Sequence, residues 1–278
     1  MLKRISWRLH WTFSESPYLV SFADQLKINI PKSGSASLIY YQGFSEPDTA
    51  DFVSRFLRKG MTFVDVGAHI GEYTLLAAKL VGQSGSIHGF EPQEALFPLL
   101  KENIKINHFN NVNLNQIAVS EKVGEVEFEV FDEPSVSSIR KSRPEEDKKR
   151  NSRFVSVSTT SLDHYVNNLE STCSIDLIKI DVEGAEKFVF EGAKELMKLP
   201  PSQSPTWIFE YAPKAYLLFD YQAQDLLNLL NSYDYQVYQY LGNGQIAEFS
   251  THKSYRGIIN MIATKNKGQL LAQINHNL

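Results

Sequence analysis

The stretch Phe63-Val64-Asp65-Val66-Gly67-Ala68-His69-Ile70-Gly71 decides how the rest of the chain is read. The run from Met61 to Val66 is apolar but for Thr62 and one acid, and it passes through Gly-x-x-x-Gly into a segment with Tyr73, Leu76, Ala77 and Leu80 at helical spacing. A short apolar run bounded by glycine, followed by that periodicity, reads as buried strand, tight turn and helix. The glycines let the backbone turn sharply and let a ligand approach the amides at the helix start. Two features separate the loop from the dinucleotide fingerprint. The spacing is not Gly-x-Gly-x-x-Gly, and Asp65 stands beside the turn. A carboxylate there repels pyrophosphate but suits an ammonium group or ordered water, which favours an amino-acid-bearing nucleoside over NAD.

Outward from this point the chain alternates strand and helix. Strands are expected at Met61 to Val66, Ser86 to Glu91, Val112 to Ile117, Ile175 to Asp181 and Thr206 to Glu210. The helices between them are Gly71 to Leu80, one from near Pro98 to Asn107, and Ala185 to Leu196; a further helix runs from Gln222 to Asn231. Tyr235 to Tyr240, Ile246 to Phe249 and Ile258 to Thr264 read as terminal strands. Such alternation implies an α/β fold with a mainly parallel sheet covered on both faces and an antiparallel edge. Before it, residues 1–60 read as an appendage to a domain over 61–278: Lys27 to Ile30 and Ser37 to Tyr41 as a hairpin around Pro31 and Gly34, then a helix from Asp48 to Leu57. Glu125 to Phe131 and Phe154 to Val157 read as a second hairpin, flanking a charged loop at 134–153. Within it, Arg140 to Arg153 carries seven basic and three acidic residues. That stretch reads as a solvated loop, or as a docking loop for an anionic substrate.

Composition narrows the classes. Of 278 residues, 42% are hydrophobic and 22% charged, which excludes a disordered or collagen-like chain. One cysteine, Cys173, excludes a disulfide framework and a Cys-rich zinc module. The net charge of −4 gives no global field toward nucleic acid, and no run of eighteen apolar residues suggests a membrane span. The first ten residues are basic, but Ser14, Glu15 and Ser16 follow where a signal peptide has its apolar core, so a cytoplasmic location is expected.

Candidate chemistry lies at strand ends. Glu91 closes the second strand about twenty residues past the glycine loop, where an acid can accept the ribose hydroxyls of a nucleoside. In Lys179-Ile180-Asp181-Val182-Glu183-Gly184-Ala185-Glu186, alternation puts Lys179 and Asp181 on one face, and Glu210 ends the next strand toward the same crevice. Three readings of these acids compete: helix capping, with Glu186 the best candidate; a divalent metal site, for which a clear third ligand is missing; and orientation or deprotonation of an acceptor hydroxyl by Asp181, Glu183 or Glu210. Lys179 either pairs with Asp181 or stabilises a developing alkoxide. Asp163 reads as a helix cap and Asn103 as a buried structural amide. No metal is expected. Hydrolase elbows, zinc signatures and Walker loops are absent from the sequence.

FVDVGAHIGEYT (63–74), FEPQEALFPLLKENIKIN (90–107), and SLDHYV (161–166) followed by IDLIKIDVEGAEKFVFEG (175–192) together resemble the FkbM family of S-adenosylmethionine-dependent methyltransferases. The resemblance covers roughly residues 46–264. It implies a Rossmann-like fold with a mainly parallel seven-stranded sheet and an antiparallel terminal strand pair. It also implies that Asp65, Gly67 and Gly71 hold the methionine end of S-adenosyl-L-methionine and Glu91 its ribose, with Ala68, Tyr73, Pro92 and Asp181 as further cofactor contacts. Ile117 and Ala118 would lie against the adenine. Many members have Asn where this chain has His69. The reaction implied is O-methylation of a sugar, glycan or secondary-metabolite hydroxyl, with no nucleic-acid partner. A non-catalytic nucleoside-binding scaffold and an NAD-dependent sugar oxidoreductase are the alternatives; labelled methyl transfer excludes the first, and the loop spacing speaks against the second.

Overall fold

Before Gly60 the chain forms α1 (Leu2–Phe13), β1 (Tyr18–Phe22), β2 (Leu26–Ile30), α2 (Gly34–Gln42) and α3 (Pro47–Phe56) in a computed structural model that describes residues 2–131, 151–169, 174–250 and 259–276. The hairpin is real but its partner differs from expectation. β2 pairs upstream with β1, from Tyr18 opposite Ile30 to Phe22 opposite Leu26. Ser37 to Tyr41, expected as a strand, lies in α2, because the Ser33 side chain accepts the Ala36 N–H at 3.3 Å and opens a helix there. A local cap outweighed β propensity, which depends on finding a partner strand.

The alternating region then runs β3 (Thr62–Val66), α4 (Glu72–Val81), β4 (Ser86–Phe90), α5 (Phe97–Ile106), β5 (Val112–Asn115), β6 (Ala118–Val119), β7 (Gly124–Phe131), β8 (Ser152–Thr160), α6 (Leu162–Asn167), β9 (Leu177–Ile180), α7 (Glu186–Glu191), α8 (Lys194–Lys198), β10 (Thr206–Tyr211), α9 (Pro213–Tyr216) and α10 (Ala223–Ser232). It ends with β11 (Gln236–Tyr240), β12 (Ile246–Glu248), β13 (Ile259–Thr264) and α11 (Lys267–Asn275). The main sheet has the order β12-β11-β13-β10-β9-β3-β4-β5. Strands β10, β9, β3, β4 and β5 are parallel, while β13 runs antiparallel to both β10 and β11. This is the expected α/β Rossmann-like sheet, with β12 as an eighth described strand beyond the seven expected.

Helices α3, α4 and α11 cover one face through Phe52, Tyr73, Leu76, Leu270 and their neighbours. On the other face, α6, α7, α8 and α10 pack around Trp207, Phe209 and Ile180. The β1–β2 hairpin and α2 lie over α4 and α5, burying Ile28, Ile30 and Ile39 against Leu75 and Leu100. After β4 and β5 are laid down on one side of β3, the chain returns to place β9 on the other. That reversal opens a crevice at the carboxyl ends of β3 and β9.

The second hairpin is as expected, with β7 opposite β8 from Gly124–Thr159 to Phe131–Ser152; β6 adds a parallel third strand to this separate sheet. Of the charged loop, Ser152 and Arg153 begin β8, and residues 132–150 lie outside the described residues. The single helix expected from Ala185 to Leu196 is two. They break at Gly192, where a Cβ would stand 2.1 Å from the Ser120 carbonyl oxygen. Asp163 caps the second of these, α8, accepting from the Glu195 and Leu196 N–H groups at 2.9 and 3.1 Å; its own helix is capped by Ser161. Tyr165, from the same motif, holds β4 and β5 through His88 Nδ1 at 2.9 Å and the Asn115 amide at 3.3 Å. Among the described residues no helix is long and apolar enough to cross a membrane.

Asn103, fully buried on α5, accepts the Asn29 N–H at 2.7 Å and donates to the carbonyls of Asn29 and Ile70 at 3.1 and 2.8 Å. It therefore stitches the hairpin to the glycine turn. Asn103→Leu leaves three backbone groups, the buried Ile70 carbonyl among them, without this partner and is expected to destabilise the protein by about 3 kcal/mol, read as a lower urea midpoint at unchanged m value.

Candidate active site

The crevice is a cavity of about 550 Å³, a size suited to a nucleoside cofactor together with part of an acceptor. Its floor is the glycine turn. Gly67 has φ +85°, and a Cβ on it would stand 1.9 Å from the Asp181 carbonyl oxygen, so only glycine lets β3 and β9 exit side by side here. The amides of this turn are not left open to a ligand as its glycines suggested. Gly67 and Ala68 both donate to the Phe90 carbonyl, at 3.0 and 2.9 Å, and Gly71 donates to Ala68. His69 and Glu183, on adjacent strand-to-helix turns, both occupy the left-handed region at φ 51° and 57°. A non-glycine residue in that region is uncommon, and two of them line this cavity.

Asp65 and Lys179 are register partners on β3 and β9, so they share the sheet face that α4 covers. The Asp65 carboxylate, buried, takes the Thr74 hydroxyl at 2.6 Å, and its Oδ1 has no hydrogen-bond partner. Lys179 is 1% exposed, its ammonium 2.7 Å from Asp181 Oδ2 and 4.7 Å from the centre of the Tyr73 ring. Burial opposes its charge, but the carboxylates of Asp181, Glu46 and Asp65 outweigh that and hold it above the ordinary lysine range. A buried ammonium surrounded by acids is thus the electrostatic centre of the crevice.

At the other end, Glu91 accepts the His69 N–H on Oε2 at 2.9 Å and the Gln93 N–H on Oε1 at 2.8 Å. It is 3% exposed yet lines the cavity beside Pro92. Each of its oxygens keeps a lone pair, which is what a vicinal diol requires. Ile117, Ala118 and Phe128 form an apolar wall next to it. Tyr73, Asp181, Glu183 and Glu210 line the opposite side, and Glu210 Oε2 is buried without a hydrogen-bond partner. Burial first, then the charges of Asp181, Glu183 and Glu186, push the Glu210 carboxyl well above its usual range. Glu186 turns away from this role. It accepts the Val182 and Gly184 N–H groups at 3.2 and 3.3 Å, as a capping acid does.

Gly67, Ala68, Tyr73, Glu91, Pro92, Ile117, Ala118, Lys179, Asp181, Glu183 and Glu210 are therefore brought to one cavity, whereas Asp65 sits behind its wall and Gly71 faces Leu100. Two acids escaped sequence reasoning. Glu46 precedes Pro47 and reads as a helix start; its carboxylate receives the Tyr73 hydroxyl at 3.2 Å and lines the cavity near Lys179. Glu72 accepts both the N–H and the hydroxyl of Ser45 at 2.6 Å. Acids in a first helical turn are ordinary, so neither carried a local signal. Among the described residues no three His, Cys, Asp or Glu side chains converge as a metal site.

A family model described as the Methyltransferase FkbM domain matches residues 65–237. Methyltransferase 1 of Beauveria bassiana (strain ARSEF 2860) is 23% identical to the chain over 142 residues, which is 46% of this chain and 57% of that protein. The match thus spans little more than half of that relative's length. Two solved structures resemble it more loosely. A precorrin-6y C5,15-methyltransferase from Geobacter metallireducens aligns with a TM-score of 0.44 at 13% identity, covering 80% of this chain and 90% of that one. TYW2 of M. jannaschii, in complex with AdoMet, aligns with a TM-score of 0.45 at 14% identity, covering 90% and 85%.

The buried acids leave a titration signature. Glu72, Glu91 and Glu186 are each pushed up to about 7, chiefly by burial. Unfolded, they titrate near 4.5. A carboxyl raised in the folded state contributes stability that is complete below about 4.5 and is lost as pH rises through about 7. Glu72→Gln keeps both contacts, because the Ser45 hydroxyl can accept from the new amide. The variant is expected to match the wild type near pH 5 and to exceed it near pH 7.5 by up to ~3 kcal/mol in urea unfolding. Parallel curves for the two proteins would show that Glu72 is ionised throughout.

Proposed function

The chain belongs to the FkbM methyltransferase family, and from that premise we propose that it transfers the methyl group of S-adenosyl-L-methionine to a hydroxyl oxygen of a sugar, glycan or secondary metabolite. The observation that carries the reading is a division of chemistry within one cavity: a diol acceptor beside an apolar wall at one end, and a charged cluster at the other. In this proposal residues 61–278 are the catalytic domain and 1–60 a cover that contributes Ser45 and Glu46 to the cavity wall.

Glu91, with Pro92, would hold the ribose, and Ile117, Ala118 and Phe128 would flank the adenine. Gly67, Ala68 and Tyr73 would border the methionine portion, with Asp65 behind them supplying negative charge toward its ammonium. When bound, the cofactor supplies an electrophilic methyl group on a sulfonium. Alignment of the acceptor then provides much of the barrier reduction, since the displacement is in line. Asp181, ion-paired to Lys179, accepts the proton of the acceptor hydroxyl. Glu210, kept protonated by burial and like charges, donates a hydrogen bond that fixes the acceptor. Glu183 stands at the rim as a second orienting carboxylate. Lys179 already occupies the place among Asp181, Glu46 and Asp65 that a divalent ion would seek. A net charge of −4 and an acidic cleft suit a neutral acceptor better than a nucleic acid, and a single cysteine fits a cytoplasmic setting.

Binding and chemistry separate cleanly in the test. Glu91→Ala is expected to weaken S-adenosylhomocysteine, measured by titration calorimetry, by about 1.5–3 kcal/mol. Asp181→Asn should lower methyl transfer from labelled cofactor on the order of 100-fold, far more than it lowers that affinity. Unchanged affinity in Glu91→Ala would remove the ribose assignment, and absence of transfer to any hydroxylated acceptor would leave only nucleoside binding. EDTA is expected to leave turnover unchanged; a loss restored by magnesium would recast Asp181 and Glu210 as metal ligands.

A further inference from the structure

Helix α1 is held by one face only. Trp7 packs on Tyr40 and Tyr41 of α2 with ring centroids 5.1 and 6.1 Å apart, and Lys3 Nζ donates to the Tyr40 carbonyl at 3.0 Å. His10 stacks on Tyr18 at 4.2 Å. The face turned outward carries Leu2, Ile5, Leu9 and Phe13, exposed by 84%, 48%, 52% and 82%. These positions follow helical spacing, so the four side chains form one stripe; Arg4 and Arg8, both exposed, lie together on one side of it. No residue of the helix is buried and none is acidic. Single exposed apolar residues are ordinary, but a continuous stripe marks a surface that is covered in use.

We infer that α1 lays this stripe into the interface of an anionic lipid bilayer. An amphipathic helix with aliphatic and aromatic residues on one face and arginines beside it is the form that lies in a membrane surface. At twelve residues it is too short to span one. The charge matches the partner: of the net −4, this helix contributes +3 and the rest of the chain −7, so α1 is the part an anionic surface attracts. A second copy of the chain fits less well. It would set Arg4 and Arg8 against their counterparts, and four side chains fall short of the roughly 800 Å² per partner that a stable dimer buries.

The docked helix stands next to the catalytic crevice. α2, on which it rests, supplies Ser35, Leu38 and Ile39 to the cavity wall, and Leu38 is itself 40% exposed. Membrane contact through α1 therefore brings the cavity mouth to the lipid surface. Resting on the proposed function, this selects an amphiphilic acceptor: a hydroxylated headgroup carried on a lipid tail.

The docking test does not depend on catalysis. The full chain is sedimented with vesicles of phosphatidylcholine alone and of equimolar phosphatidylcholine and phosphatidylglycerol. The wild type is expected to pellet with the anionic vesicles, and less so as salt rises. Ile5→Ser/Leu9→Ser should weaken the partition roughly tenfold or more, and Arg4→Glu/Arg8→Glu roughly fivefold for each charge removed. Both pairs lie on the exposed face, so unchanged thermal unfolding confirms that the fold is intact. Wild-type protein that stays in the supernatant with anionic vesicles at low salt overturns the inference, as does equal pelleting of the serine variant. A concentration-dependent dimer that the serine variant abolishes, without vesicle binding, would assign the stripe to a second copy instead. If vesicles bind but soluble acceptors are methylated as well as lipid-linked ones, the docking surface stands and the acceptor class falls.

Discussion

One ammonium group organises this molecule. Lys179 is buried in the middle of a parallel sheet, and a charge so placed is costly unless it is surrounded by partners. Its partners come from four separate places: Asp65 on the neighbouring strand, Asp181 two residues on, the Tyr73 ring on the covering helix, and Glu46 from the segment that precedes the alternating fold. Satisfying that charge thus requires β3, β9, α4 and the start of α3 to meet at one point. The crevice lies where they meet.

The same arrangement explains why the crevice is rich in carboxyl groups whose proton affinity is raised. Glu72, Glu91, Glu186 and Glu210 are removed from water, and each lies near further acids. A core of this kind gives up stability near neutral pH that an apolar one would keep. What is gained is a cavity with a defined polarity, with carboxyl groups at both ends and an apolar wall between them. Both strand-to-helix turns that border the cavity also carry a left-handed non-glycine residue, His69 on one and Glu183 on the other.

The chain before Gly60 is more than an appendage in physical terms. Asn103 and Asn107 bind its β2 backbone to α5, Ser45 satisfies the Glu72 carboxylate, and α2 completes the cavity wall. Its first helix, by contrast, touches the body through aromatic rings and a few polar contacts, among them Lys3 with the Tyr40 carbonyl, and turns its aliphatic side outward. The segment joins the crevice on one side and an exposed apolar stripe on the other.

Much was legible in the sequence wherever the cause was local. An acid ending an apolar run before Gly-x-x-x-Gly could only be a strand entering a tight turn, and Gly67 is required there by the Asp181 carbonyl. Alternation put Lys179 and Asp181 on one face, and they form an ion pair at 2.7 Å. Glu91, singled out by its place at a strand end, lines the cavity. The tertiary structure decided what depended on distant partners. Ser37 to Tyr41 has the composition of a strand, but the outer edge of β2 is bonded to the Asn103 and Asn107 side chains and Ser33 caps the segment as a helix. The amides of the glycine turn looked available until β4 returned with the Phe90 carbonyl to take two of them. Glu46 and Glu72 looked like helix-start acids, and became part of the site only because the fold brings Tyr73, Lys179 and Ser45 to them. Backbone periodicity is written in consecutive residues. The value of a charge is set by whatever the fold brings within a few ångströms of it, and that is settled only when the sheet closes.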